Sequence, residues 1–278
     1  MSSMLKAVLT SLIIVLFATP ALAADKETAY AQVLKTDTLR CAYTSVSTHV
    51  TKDFKTGEVT GLMVDIATAM AGLLQLKIEW VAEVGHADFA EGLKTGRYDA
   101  YCGILAMAPT RARVADFTMP LFYNPYYAYV RADETRFKYP ADLNRPNVKA
   151  GVIDGEVFQL MTQRFLPHAQ EVGLPNMTSS GQLFVDLAGN KTDAVIHDSV
   201  VEKDYDRNNP GKVKRAFDKP FDVYPMAFAV APEEIALKNM LNTAILVLHM
   251  QGKIDALLTK YGIDGMMTYR AAPPYQTP

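Results

Sequence analysis

The chain predicts an α/β fold of two lobes, each a mostly parallel sheet flanked by helices, with two crossings between them. Three observations predict it. Short β-rich apolar runs alternate with segments of helical period, the signature of strand–helix–strand units. A faint internal echo is present: Leu93-Lys-Thr-Gly-Arg-Tyr-Asp99-Ala100 runs into Tyr-Cys-Gly-Ile, and Leu187-Ala-Gly-Asn-Lys-Thr-Asp193-Ala194 runs into Val-Ile-His-Asp. Extended runs at 126–131 and 226–230 are placed to carry the chain from one lobe to the other and back. Two such crossings make a hinge, because a few backbone torsions rotate rigid lobes.

The elements follow in order. Residues 38–43 read as a first strand, followed by a polar loop through Gly57-Glu58. Over 63–74 the apolar residues Val64, Ala67, Ala71 and Leu74 recur at helical spacing. Residues 77–81 are β-rich, 86–94 helical and 98–105 a strand. In each copy of the echo a helix ends near a glycine suited to a left-handed cap, and Asp-Ala opens the next strand. A long helix over 234–250 carries Leu237, Leu241, Ile245 and Leu248 on one face, and a shorter one covers 254–261. The proline-rich end, 271–278, reads as loose. This assigns 24–129 plus 228–278 to lobe 1 and 130–227 to lobe 2.

The first residues carry a targeting signal. Lys6 precedes an almost wholly apolar stretch at 7–20, and Ala21-Leu22-Ala23 supplies the small-x-small pattern of a cleavage site. Residues 1–23 are therefore expected to be a cleavable secretory signal, cut near Ala23, that sends the chain to a periplasm. An uncleaved anchor is the alternative, although the run falls short of the roughly 20 residues a spanning helix needs. About 255 residues remain, enough for two lobes of about 100 residues each. Apolar content of 49% and charged content of 21% are those of an ordinary globular chain. Net charge is −2, with no basic block, so nothing points to nucleic acid. The two cysteines, Cys41 and Cys102, both fall in strand-like parts of lobe 1. An oxidising compartment permits a bond between them, and two separate buried thiols are the other reading. The five histidines show no metal-ligand spacing with either cysteine, so neither metal nor cofactor is expected.

Three stretches carry a resemblance: Thr60-Gly-Leu-Met-Val-Asp65-Ile66, Arg111-Ala-Arg-Val-Ala-Asp116-Phe117-Thr118-Met-Pro120, and Asp193-Ala-Val-Ile-His-Asp198. In their order and spacing, from about Thr38 to Gly262, the chain resembles the family 3 extracellular solute-binding proteins, the polar amino acid receptors of ABC importers. The resemblance implies a type II periplasmic-binding-protein-like fold, a ligand enclosed at the hinge, and delivery to a permease in the inner membrane. It also implies roles. Arg111 matches the carboxylate-binding arginine, a task that suits a guanidinium because it donates two parallel hydrogen bonds. Asp198 matches the ammonium-binding aspartate, although an aspartate ending an apolar strand also suits a helix cap.

The chain departs from the family pattern near these residues. Ala106 and Ala108 stand where a serine or threonine hydroxyl usually assists the carboxylate. His86 falls where many members carry a stacking aromatic, and Glu156 follows Gly155 where a threonine is typical. Glu156 either accepts helix-end amides or points inward, adding negative charge opposite Arg111. With Asp198 and Glu156 against Arg111, the site would favour a ligand with excess positive charge. Tyr43, Tyr123 and Tyr126 are further candidates for the cleft wall, and Arg113 reads as a solvated neighbour. The expectation is a monomeric receptor for a small polar solute, an amino acid or related amine or acid, without catalysis. The rivals are a periplasmic enzyme of the cyclohexadienyl dehydratase type, with Glu156 or His86 as acid, and an accessory receptor serving a sensor or another periplasmic system.

Overall fold

The structure is a computed structural model, and it describes residues 27–265 and 267–271. The expected signal at 1–23 and the proline-rich end beyond Ala271 lie outside the described residues. Helix α1 (Ala29–Thr36), which the sequence reading did not foresee, starts where the Thr28 hydroxyl accepts the Ala31 N–H. Strand β1 (Thr38–Tyr43) follows, then a small hairpin of β2 (Thr51–Lys52) and β3 (Val59–Thr60). Helix α2 (Leu62–Leu73) is apolar on most sides and buries Leu62, Met63, Ile66, Ala67, Met70 and Ala71. Strand β4 (Lys77–Glu83), helix α3 (Phe89–Thr95), strand β5 (Ala100–Tyr101) and strand β6 (Asp116–Phe117) complete this stretch.

The chain then enters a second sheet with the ten-residue strand β7 (Phe122–Arg131). Next come β8 (Lys149–Ile153), α4 (Val157–Phe165), β9 (Gln170–Leu174), α5 (Gly181–Ala188), β10 (Ala194–Asp198) and α6 (Ser199–Asn208). Strands β11 (Val213–Arg215) and β12 (Asp222–Met226) pair with β7. Strand β13 (Ala229–Val230) returns to the first sheet, between β5 and β6. Helices α7 (Ile235–Met250) and α8 (Lys253–Lys260) pack on α2, and β14 (Tyr269–Arg270) adds to the start of β7.

The two sheets share one plan. The first has the order β4-β1-β5-β13-β6, the second β9-β8-β10-β7-β11. In each, three parallel strands are followed by an antiparallel one. This is a two-lobed α/β fold.

Three local expectations are revised. The run 126–131 lies inside the second sheet, so the first crossing falls earlier, between Phe117 and Phe122. Tyr126 and Tyr129 each have a partner on both sides of β7, which makes it a central strand of that sheet. Helical structure begins at Phe89, so His86 stands in a turn closed by the Asp88 N–H on the Gly85 carbonyl. The echo holds in its turn, but the left-handed residue differs: Gly96 has φ 74°, whereas in the second copy Asn190 takes φ 60° and Gly189 does not. Cys41 and Cys102 are joined by a disulfide within the first sheet.

Candidate functional site

The lobes meet through a few polar contacts. The Ser47 and Thr48 hydroxyls donate to Asp204, and the Asn176 amide donates to Asp88 at 2.7 Å. Between these contacts lies the site.

Lobe 1 contributes a cation on a short turn. Arg111 opens the 3-10 turn Arg111–Arg113 and is buried, while Arg113 is exposed as expected. Its Nη1 donates to the Ala106 carbonyl at 3.2 Å, within its own lobe. Its Nη2 donates to the Gly155 carbonyl of lobe 2 at 3.0 Å. Burial pulls the guanidinium below its ordinary value, and neighbouring Glu156 opposes that pull. The guanidinium stays charged in any case, and the carboxylate beside it offsets part of the cost of burying it.

Lobe 2 answers with two carboxylates at helix starts. Glu156 precedes α4 but makes no side-chain cap bond, so its carboxylate is free to turn inward. Glu156 Oε1 lies 2.6 Å from His86 Nδ1. Burial pushes the Glu156 carboxyl up, but His86 and Arg111 outweigh it and hold the group below the usual carboxylate range. His86 Nε2 lies 2.7 Å from the Ile104 carbonyl. A carbonyl only accepts, so Nε2 carries a proton. The short contact between His86 Nδ1 and Glu156 ties one lobe to the other.

Asp198 caps the helix that follows it, one of the two uses the sequence left open. Its Oδ1 accepts the Val200 and Val201 N–H groups at 2.9 and 3.2 Å, capping α6, and the side chain also lines the cavity. Burial works against its charge, yet His197, His49 and the helix amides hold the carboxyl at about 2. The helix dipole adds to the same effect. His197 Nδ1 lies 2.9 Å from the Asp198 nitrogen and 3.2 Å from Asp198 Oδ2.

A cavity of about 30 Å³ lies between these groups, lined by Arg111, His86, Glu156, Asp198, Ala106 and Tyr126 together with His197, Phe158, Ser180 and several aliphatic side chains. Of the sequence candidates, Tyr43 and Tyr123 are not part of the lining. Tyr43 packs edge-on against Trp80 at 5.7 Å instead, because its position on β1 turns the ring into the lobe 1 core. His197 and Phe158 were not foreseen. His197 stood inside a quoted motif, but strand alternation sets it opposite Asp198, and only the packed ring of Phe158, 4.6 Å away, shows where it points. The two carboxylates that the sequence set against Arg111, Asp198 and Glu156, both line the cavity, and His86 lies against Glu156. Among the described residues no group of three or more His, Cys, Asp or Glu is arranged to hold a metal ion.

Comparison with known proteins places this geometry. Residues 45–264 match the family described as bacterial extracellular solute-binding proteins, family 3. The amino-acid-binding protein AabA of Dichelobacter nodosus is 27% identical over 211 residues, covering 74% of this chain and 80% of that protein. The ABC transporter arginine-binding protein 1 of Escherichia coli K12 is 26% identical over 200 residues, covering 70% and 78%. Among solved structures, the ancestral amino acid-binding protein AncCDT-1, a precursor of cyclohexadienyl dehydratase, superposes with a TM-score of 0.73 at 25% identity, over 84% of this chain and 99% of that one. The L-cysteine receptor of Neisseria gonorrhoeae shares the fold, with a TM-score of 0.72 at 20% identity over 85% and 94%.

Proposed function

The chain belongs to the family 3 bacterial extracellular solute-binding proteins, and we propose that it captures a small polar solute bearing an ammonium group, an amino acid or related amine, for an ABC importer. The observation that carries this reading is the convergence of Arg111 from one lobe and Asp198 from the other on one buried cavity. Taking a charged solute out of water costs several kcal/mol unless each charge is met. Opposite charges on separate lobes meet it only when the lobes come together, so capture and closure are one event. In this reading the lobes are residues 27–121 with 227–271, and 122–226. The receptor is a periplasmic monomer freed of its first 23 residues, and its partner is an inner-membrane permease.

The same geometry speaks against Glu156 as the acid of an enzyme. A general acid must hold its proton at working pH. Glu156, the carboxyl best placed in the cavity, is held ionised by His86 and Arg111.

The test is a thermal-shift screen of residues 24–278 against amino acids, amines and small organic acids. A solute at one hundred times its dissociation constant adds about 2.7 kcal/mol. Arg111→Ala and Asp198→Asn abolish the shift while the proteins still unfold cooperatively; asparagine keeps a capping oxygen for α6. Normal binding by both variants would end the assignment.

A further inference from the structure

We propose that Asn176 and Asp204, which lie outside the cavity, set the receptor's affinity: they latch the lobes together more closely than a solute allows, so that a solute binds only after both latches break. The inference rests on the reading of the cavity as the solute site. It concerns the closed arrangement itself and does not depend on which solute is captured.

The cavity measures how far the lobes have closed. A water needs roughly 10–15 Å³ of such space. A cavity of about 30 Å³ is therefore too small for even the smallest amino acid. Two glycines allow the lobes this close. Gly155 of lobe 2 has φ 81°, and a Cβ there would come within 2.6 Å of the Ala87 Cβ of lobe 1. A Cβ on Gly85 of lobe 1 would come within 2.6 Å of the Asn176 Cγ of lobe 2. The same approach brings Arg111 Nη2 to the Gly155 carbonyl, in the place where a solute carboxylate would accept. One of the protein's own oxygens thus stands in for the solute.

A latch adjoins the cavity at each of two lining residues. Beside Val46, the Ser47 and Thr48 hydroxyls donate to Asp204 Oδ2, Thr48 at 3.2 Å, while Arg207 holds Asp204 Oδ1 at 3.0 Å. Beside His86, Asn176 Nδ2 donates to Asp88 at 2.7 Å, and Asn176 Oδ1 accepts the Met177 N–H at 3.0 Å. Each latch carries a non-glycine residue in the left-handed region, Thr48 at φ 65° and Met177 at φ 66°. Such backbones cost free energy and persist only where their surroundings impose them. Neither Asn176 nor Asp204 lines the cavity, so what they set is the separation of the lobes. Their bonds across the lobes span no more than 3.2 Å. Parting the lobes far enough to seat an amino acid breaks them. Opposite charges still meet a solute as the lobes approach; the latches belong to a closer approach that the solute prevents. Latched closure and solute therefore compete, and the apparent affinity is the intrinsic one reduced by the fraction of receptor that is latched.

Small-angle X-ray scattering tests this on residues 24–278, stripped of solute by unfolding and refolding with the disulfide intact. The parent is expected to have the radius of gyration of the closed arrangement, and Asn176→Ala with Asp204→Ala a larger one. Gly85→Ala, which crowds the Asn176 side chain and removes no hydrogen-bonding group, is expected to expand the protein in the same direction. An equimolar mixture of the common amino acids is then added. It is expected to shrink the double variant and leave the parent's radius unchanged. In a thermal-shift titration the mixture reaches half its effect on the double variant at about 10-fold lower concentration, about 3-fold for each latch. Asn176 and Asp204 are only half-buried, so the variants are expected to fold, as cooperative unfolding checks. A parent that is expanded before the mixture is added, or that shrinks on adding it, overturns the inference and leaves the receptor reading standing. A double variant as compact as the parent does the same, and so does one that needs as much of the mixture. A double variant that is expanded yet unmoved by the mixture supports the latches and counts against an amino acid as the solute.

Discussion

Arg40 of lobe 1 and Lys149 of lobe 2 stand at the same place in their sheets. The Asp99 N–H donates to the Arg40 carbonyl at 2.9 Å, and the Asp99 carboxylate accepts the Arg40 N–H at 2.9 Å. The Asp193 N–H donates to the Lys149 carbonyl at 2.7 Å, and its carboxylate accepts the Lys149 N–H at 3.0 Å. From this shared clasp the lobes diverge. The strand registers set Cys41 beside Ala100 in one lobe and Ala150 beside Ala194 in the other. Cys41 and Cys102 are cross-linked, whereas Ala150 and Ile196 hold the equivalent positions as buried apolar residues. Strand β5 has two residues in its ladder, and the chain then leaves toward the turn that carries Arg111; β10 has five and delivers Asp198 to a helix start. One connection, used twice, supplies a cation from a short covalently braced strand and an anion from a long hydrogen-bonded one.

Removing the brace is the most severe test of that contrast. Cys41→Ala with Cys102→Ala gives lobe 1 apolar residues without a cross-link at the bridge, as lobe 2 has. The bond spans 61 residues, and the loop-entropy relation assigns such a cross-link about 4 kcal/mol. The urea midpoint is expected to fall accordingly, with amide-exchange protection lost in lobe 1 before lobe 2. An unchanged midpoint would mean that the two strands are equally self-sufficient.

A smaller effect is expected at the end of β10. The Asp198 carboxyl lies at about 2 in the folded protein against an ordinary 3.8. A depressed folded value stabilises in full above the unfolded value and is lost as pH falls toward the folded one. Asp198→Asn is therefore expected to lose about 2 kcal/mol at pH 7, with the gap to the parent closing between about pH 4 and pH 2. Unfolding curves taken across that range check it, and a gap that persists at pH 2 would assign the effect to packing.

The smallest effect separates the two turns. Gly96→Ala places a Cβ at φ 74° and is expected to cost about 1 kcal/mol. Gly189→Ala meets an ordinary backbone, with only the Val185 carbonyl 3.1 Å from the new Cβ, and is expected to cost less. Thermal unfolding of the two variants side by side decides this; equal losses would show that the turns are strained alike.

Much of the fold was legible in the chain because it rests on local periodicity. The run 38–43 reads as a strand and is one, and the apolar spacing of Leu237, Leu241, Ile245 and Leu248 marks the buried face of α7. The misplaced elements are those in which tertiary contacts overrule local pattern. His86 reads as a helix start, but its ring is tied across the lobes and its backbone forms a turn. The run 126–131 reads as a crossing because its β character is plain while its partners, Asp198 and Val213 among them, lie far along the chain. Arg111 and Asp198, singled out by motif spacing, both line the cavity between the lobes. Tyr43 was misplaced, because β character does not tell which face of a strand meets a cleft.

By itself the sequence determined where most strands and helices lie, that the plan occurs twice, and that an arginine follows the first copy of the echo while an aspartate ends the second. Those properties depend on neighbours within a few positions, where side-chain period and backbone preference act. Only the tertiary structure decided that Glu156 turns inward to His86, 70 residues away, and that Cys41 reaches Cys102. Charge pairing and cross-linking depend on separation in space, and the distance between two side chains is set by the packing of whole sheets rather than by the residues that flank them.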